Sequence, residues 1–272
     1  MRKRLLFLIL LYWPIFLAAK DIKYFSRPED MLDLSENAFN RYGVKVSEID
    51  SVSMSGSFTI SIKVRSHAMD LGEKALVTNK KSNTQSEAGI WIGTQANGSW
   101  TVNFCDGKNT PWEYSPTALR QPINDDKWHT LTITHDAVKQ EMRMYYDLLN
   151  VAIYCTNGNV NLATGNVLRI GSVDDGQWNT FNGCIKDFLF VDRVEVPRVS
   201  APAHSHLSQL KVMAFNIFHG GHELGQEVGV NRVIEVIKAE NPDVIGMIET
   251  YGSGAIIADA LGYYFYVALT CQ

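Results

Sequence analysis

The sequence predicts a mainly β chain: a two-sheet sandwich, then a short strand–helix–strand unit. Three observations carry this. Between residues 51 and 197, short runs of alternating apolar and polar residues are separated by Gly, Asn, Asp and Ser clusters. After residue 209, two apolar runs flank one amphipathic helical stretch. Residues 198–208 hold small residues, Pro202 and no apolar period, and read as a linker between the two. With 46% hydrophobic and 20% charged residues, the composition is that of an ordinary globular protein.

The chain opens on a basic cluster, Arg2-Lys3-Arg4, then an apolar run from Leu5 to Ala19. Basic, apolar, then small residues is the order of a secretory signal over residues 1–19. The apolar part is shorter than the roughly 20 residues of a membrane helix. An uncleaved anchor is the alternative, and both place the remainder outside the cytoplasm. No later segment is long and apolar enough to span. Residues 21–50 form an extension with a short helix expected from Glu29 to Arg41.

Within the sandwich, Phe58, Ile60, Ile62 and Val64 share one face of the first strand. Further strands are expected at 74–78, 89–93, 99–104, 128–135, 141–146, 151–154, 167–171 and 183–191. Trp91 and Trp128 lie inside strand patterns and read as core. Trp112 and Trp178 lie in loop-like contexts and are candidates for stacking on a sugar; a structural role is the competing reading. His129 and His135 fall on one face of one strand. Asp70, Asp125, Asp126, Asp174 and Asp175 offer oxygen ligands for Ca²⁺, but their spacing fixes no site. Asn97-Gly98-Ser99 is a glycosylation acceptor by pattern and a hairpin turn by composition.

Four cysteines in an exported chain allow three pairings. Cys155 and Cys184 flank two strand-like segments and are the expected pair, worth about 3–4 kcal/mol. The alternative is four buried thiols.

Several phrases in this region resemble the laminin-G, concanavalin-A-like jelly-roll family. They are Gly-Ser-Phe-Thr-Ile-Ser at 56–61, Asp-Lys-Trp-His-Thr-Leu-Thr-Ile-Thr at 126–134, Met-Arg-Met-Tyr-Tyr-Asp at 142–147, Leu-Arg-Ile-Gly-Ser at 168–172 and Phe-Asn-Gly-Cys-Ile-Lys-Asp-Phe at 181–188. The resemblance implies a jelly roll. It also supports the Cys155–Cys184 pair, because the family often places a disulfide cysteine at the Asn-Gly-Cys phrase. A glycan or cell-surface ligand is the partner it implies, although family members also bind proteins or calcium.

In the C-terminal unit, residues 211–218 are nearly all apolar, as expected of a strand buried on both faces. Val230, Val233, Ile234 and Ile237 recur at helical spacing, and Asn241-Pro242 ends that helix. Residues 244–248 form a second buried strand, Ala255 to Leu261 a second helix stopped by Gly262, and 263–267 begin a further strand. Parallel strands would bring Asn216 and Glu249 to one end of the sheet, where an amide oxygen and a carboxylate can share a hard divalent cation. The alternative is that both merely end strands and meet solvent.

Residues 211–221, 232–237 and 241–250 resemble the opening of the endonuclease/exonuclease/phosphatase superfamily. That resemblance implies a DNase-like α+β fold of four layers and Mg²⁺- or Mn²⁺-dependent hydrolysis of phosphate esters. Asn216 and Glu249 match the family's strand-end asparagine and metal-binding glutamate. Ile248 stands where glutamine is common. His219 and His222 are candidates for the site rim. The family's later catalytic groups have no counterpart here: the last histidine is His222. Residues 209–272 thus read as a partial, catalytically incomplete domain, a fragment of a longer exported hydrolase. Residues 208–272 hold three basic and seven acidic residues, the whole net charge of −4. That balance suits a cation site and gives no sign of nucleic-acid grip. The expected function is an exported metal-dependent phosphoesterase with a lectin-like targeting module. The alternative is a non-enzymatic secreted glycan-binding or adhesion protein.

Overall fold

The computed structural model describes residues 21–35, 44–46, 54–69, 71–108, 111–156, 160–173, 179–197 and 209–269. The predicted signal at 1–19, residues 36–41, Asp70, Asp174, Asp175, Trp178, the linker and Cys271 lie outside them.

The strands in chain order are β1 (Asp21–Tyr24), β2 (Leu32–Asp33), β3 (Val44–Val46), β4 (Phe58–Arg65), β5 (Ala75–Thr78), β6 (Gly89–Thr94), β7 (Trp100–Cys105), β8 (Trp112–Tyr114), β9 (His129–Asp136), β10 (Glu141–Tyr146), β11 (Leu149–Cys155), β12 (Leu168–Ile170) and β13 (Cys184–Val191). The C-terminal unit adds β14 (Val212–Asn216), α1 (Gln226–Glu240), β15 (Val244–Ile248), α2 (Ser253–Leu261) and β16 (Val267–Leu269). One sheet runs β1-β13-β4-β9-β10-β11-β16, with β2 also on β13; the second runs β3-β12-β5-β6-β7-β8.

Alternation explains why these two sheets stack. Phe58, Ile60, Ile62 and Val64 of β4 are completely buried. Their partners across the ladder are Ile133 and Leu131 on β9 and Phe190 and Ile185 on β13, also buried. The facing sheet supplies Ile90, Ile92, Trp100, Val102 and Phe104. Phe58 and Phe190 stack with centroids 6.2 Å apart. The nine strands expected in the sandwich all form, and a mainly β sandwich is the result.

The expected helix at 29–41 does not form in its described part. Pro28–Asp30 is one 3₁₀ turn, and Leu32–Asp33 then pairs with Ile185–Cys184. Leu34 is fully buried, with its amide on the Gly183 carbonyl at 2.9 Å. Sheet pairing plus that burial outweighs a weak helical pattern. Trp91 is fully buried but points away from Ile90 and Ile92, beneath the loop at 79–88. Trp128, expected in the core, is half-buried with the Lys186 ammonium 4.1 Å and the Arg65 guanidinium 5.1 Å from its ring.

The Cys155–Cys184 bridge is absent. Cys184 is a buried thiol on β13, near Asp33 and Arg65. Cys155 is disulfide-bonded, to a partner that is neither Cys105 nor Cys184. The sheet order explains the failure. From β13 to β11 is four strand spacings, about 19 Å, whereas a disulfide needs Cα atoms within about 7 Å.

β14 and β15 are parallel and in register from Val212–Val244 to Asn216–Ile248. Val230, Val233, Ile234 and Ile237 of α1 cover the face bearing Met213, Phe215, Ile245 and Met247. Asn241 ends α1 in the left-handed region, and Gly262 does so for α2. The strands are not buried on both faces as expected: Val212, Val244 and Ile248 on the other face are exposed. The helices cover one side only.

The further strand expected to begin at 263–267 forms only at Val267–Leu269, where β16 pairs parallel with β11 and adds itself to the sandwich. Asp259 of α2 fixes the junction. Its carboxylate accepts from Arg120 Nε at 2.7 Å and Thr117 Oγ1 at 2.6 Å, while Arg120 Nη2 donates to the Ala258 carbonyl at 3.0 Å. The Asp259 side chain is only 5% exposed. No helix among the described residues is long and apolar enough to cross a membrane.

Replacing Asp259 by Ala leaves the Arg120 guanidinium without its anion at a largely buried junction. Breaking such a pair costs about 3–5 kcal/mol. Asp259→Ala should therefore speed amide exchange in β16 by more than about a hundredfold, with β4 and β9 unchanged, as read by hydrogen-exchange mass spectrometry.

Candidate functional site

The loop after β14 shapes the corner where Asn216 and Glu249 meet. Phe218, His219, Gly220 and Gly221 all have positive φ, from 47° to 75°. Two glycines absorb part of that turn without strain, and the Gly220 amide donates to the Glu249 carbonyl at 2.7 Å. Gly229 of α1 is needed for another reason. A Cβ there would lie 1.4 Å from the Gly221 carbonyl oxygen, so the helix and loop touch backbone to backbone.

This closure brings the two predicted residues together. Asn216 Nδ2 donates to Glu249 Oε1 at 2.9 Å. Asn216 Oδ1 accepts the Phe218 amide at 2.9 Å, which fixes the orientation of the Asn216 amide. The His219 amide donates to Glu249 Oε2 at 3.3 Å. These donors, Asn216 first and the His219 backbone second, hold the Glu249 carboxyl below its ordinary value. Glu249 itself sits at φ +58°.

The corner is thus an ionised, solvent-facing carboxylate held by two donors. Each carboxylate oxygen keeps further acceptor capacity, which fits a Mg²⁺ ion bound through one carboxylate and water. Asn216 turns its NH₂ toward Glu249, so it orients the carboxylate. The His219 ring stacks on Phe218 at 4.4 Å and meets Tyr251 edge-on at 5.5 Å. His222 is drawn away: its Nε2 lies 2.8 Å from Ser253 Oγ at the start of α2. Of the two rim histidines, His219 borders the carboxylate and His222 does not. Among the described residues, no three His, Cys, Asp or Glu side chains converge on a metal position.

In the sandwich, Trp112 stacks flat on Phe104, 4.9 Å between centroids and 6° between planes. Phe104 is core, so Trp112 covers the rim of the hydrophobic interior and has one face occupied. The outward face of the second sheet is closed too. Thr78, Trp91 and Asn103 lie in register across it and are each at most 1% exposed. The loop at 79–88 lies over them: Lys80 Nζ donates to Asn103 Oδ1 at 2.9 Å, and Gln85 reaches Glu113. Asn97 forms the turn that its sequence suggests, its side chain accepting the Ser99 amide at 2.9 Å.

A charged cluster that spacing did not reveal surrounds His129. Its Nδ1 bonds Asp147 and its Nε2 bonds Asp125, both at 2.8 Å, while the Tyr146 hydroxyl packs at Nδ1 and donates to the Pro122 carbonyl. Burial opposes the charge on His129, but the two carboxylates outweigh it and raise the imidazole pKa. Burial likewise works against ionising Asp125, yet hydrogen bonds from His129 and Lys127 hold it down to about 2. With Asp125 committed to His129 and Lys127, and Asp126 near Arg65 at 3.9 Å, these two expected calcium ligands already have cationic partners. His135 faces the same interior but bonds the Gly56 carbonyl at 2.7 Å, and burial lowers its pKa. The two rings are thus committed to separate partners.

Comparison with known proteins adds the following. The model of the Concanavalin A-like lectin/glucanases superfamily matches residues 40–196. No curated protein matches the chain. Among solved structures, the CBM40 module of Ruminococcus gnavus IT-sialidase bound to α2,3-sialyllactose is 14% identical, with a TM-score of 0.47, over 61% of this chain and 91% of its own. The leech intramolecular trans-sialidase is also 14% identical, with a TM-score of 0.47, over 65% of this chain and 28% of its own. The binding domain of botulinum neurotoxin DC, in complex with rat synaptotagmin II, is 17% identical, with a TM-score of 0.43, over 64% of this chain and 43% of its own. The match therefore spans less than half of the toxin chain and under a third of the leech enzyme. The family match ends before β14, so the likeness of the C-terminal unit to phosphoesterases rests on its motifs alone.

Two outcomes follow. Asn216→Ala removes the leading donor to Glu249, and the carboxyl pKa should rise toward its ordinary value, read by carbon-detected NMR titration. The His129 clamp should give a pH-dependent stability. Its raised folded pKa makes its contribution full below the ordinary imidazole value, and the contribution is lost as pH climbs through the raised one. Asp125 contributes fully above its unfolded pKa and loses that as pH falls toward about 2. His135 acts with the opposite sign to His129, so the difference in melting temperature between wild type and His129→Gln, followed against pH, isolates the clamp.

Proposed function

The chain belongs to the Concanavalin A-like lectin/glucanases superfamily, and from that premise we propose that it is an extracytoplasmic carbohydrate-binding protein. The observation that carries this reading is the family match across residues 40–196, which takes in β3 to β13 of the two-sheet sandwich. The basic–apolar–small order of the first residues and the disulfide at Cys155 support export. The test is a glycan array probed with the folded, purified chain. Saturable binding to one class of saccharide is expected. A blank array from protein that melts cooperatively would overturn the reading.

A second reading is metal-dependent phosphoester hydrolysis at Glu249, with Mg²⁺ or Mn²⁺ as cofactor and a nucleic acid, phospholipid or inositol phosphate as substrate class. The observation in its favour is the 2.9 Å Asn216–Glu249 hydrogen bond at the carboxyl ends of two parallel strands. Glu249 would hold the cation, which would neutralise a phosphoryl oxygen. Calorimetric titration with Mn²⁺ checks the metal site: binding by wild type, and none by Glu249→Gln, is the expected pair of results. Equal binding by both would remove Glu249 from the site.

A further inference from the structure

A cleft of about 630 Å³ lies where the C-terminal unit meets the sandwich. That volume is within the roughly 300–1,000 Å³ of small-ligand sites. One wall is the β8 segment and the hairpin of β10 and β11, including Leu119, Leu149 and Tyr154; the other carries Tyr251, Tyr264 and Tyr266. We infer that this cleft is a saccharide-binding site selective for neutral sugars, formed jointly by the two parts of the chain. The inference rests on the carbohydrate-binding reading and adds to it the position of the site and the class of ligand.

The aromatic wall is built for contact. Phe265 packs against Gly254, where an added Cβ would lie 2.8 Å from its ring. With Phe265 anchored, its neighbours Tyr264 and Tyr266 remain 75% and 54% exposed, and Tyr251 is 65% exposed. Among the described residues, the phenols of these three make no hydrogen bond. Exposed rings with uncommitted hydroxyls suit a pyranose, which presents C–H groups to a ring and hydroxyls to polar partners. Among the described residues of the sandwich, Trp112 has Phe104 on one face and the sheet around Trp91 is closed by its loop.

Charge selects the class of sugar. Among the described residues that line the cleft, Arg120 is the single cationic side chain, and Asp259 occupies it at 2.7 Å. Glu113 and Asp147 add negative charge, the latter paired with His129. A sialic acid carboxylate, a sulfate or a phosphate would enter with no cation to meet it, and would pay desolvation without compensation. A neutral saccharide carries no such cost, and Glu113 can accept from its hydroxyls. A quaternary ammonium would also suit tyrosines and carboxylates, but it fills little of a cleft of about 630 Å³.

The test uses the full 272-residue chain on an array of neutral, sialylated and sulfated glycans, with choline as a competitor. Neutral glycans should bind, with little dependence on salt. Tyr264→Ala and Tyr266→Ala should each weaken that binding by roughly tenfold without moving the melting temperature, since both side chains are mostly exposed. Tyr266→Phe should lose less than Tyr266→Ala. Binding of neutral glycans unchanged in both alanine variants would overturn the cleft while leaving the carbohydrate-binding reading intact. So would binding confined to sialylated or sulfated glycans, or displacement by choline at the cleft. Absence of binding to every glycan would overturn both.

Discussion

The contact between the two sheets of the sandwich is the constraint on which the molecule depends. Each sheet has one face that water disfavours, and burying both faces against each other is the dominant favourable term. Phe58, Ile60, Ile62 and Val64 on one side, and Ile90, Ile92, Trp100 and Phe104 on the other, are all fully buried. Once that contact forms, the outward positions are free for other work. The outward face of the second sheet is covered by its own loop. The rim of the first receives the C-terminal unit.

Docking of that unit needs both backbone and charge. β16 extends the β11 edge, which satisfies main-chain groups that an open edge would expose. Asp259 then occupies Arg120 and Thr117 at a part-buried junction. Cys155, at the end of the same edge strand, is disulfide-bonded as well. The two parts consequently share a wall. The Glu249 corner lies at one end of the unit, and Thr250 and Tyr251, which follow it, line the cleft toward the sandwich. The Glu249 corner and the tyrosine-lined cleft are thus neighbours.

Much of the candidate site was legible in the sequence, because local spacing determines it. Asn216 and Glu249 each follow an apolar run, and Pro242 stops the helix between them, so a parallel unit must bring them to one end. What spacing could not show is that the Asn216 oxygen is taken by the Phe218 amide, since that depends on a left-handed turn at Phe218 and His219. The His129 cluster was also hidden. Asp125 is four residues away on a turn, but Asp147 lies across a hairpin, and only the ladder between β9 and β10 brings that second carboxylate to the ring.

By itself the sequence determined the nine sandwich strands that alternation marks and the inward face of β4, because a period of two residues is a property of the extended chain. It also determined the ends of both helices and the meeting of Asn216 with Glu249. The tertiary structure alone decided what depends on the order of strands in a sheet, which alternation leaves open. That order separates Cys184 from Cys155 and lays the loop at 79–88 over Trp91. It also carries β16 to β11, opening a tyrosine-lined cleft beside the part-buried Arg120–Asp259 pair.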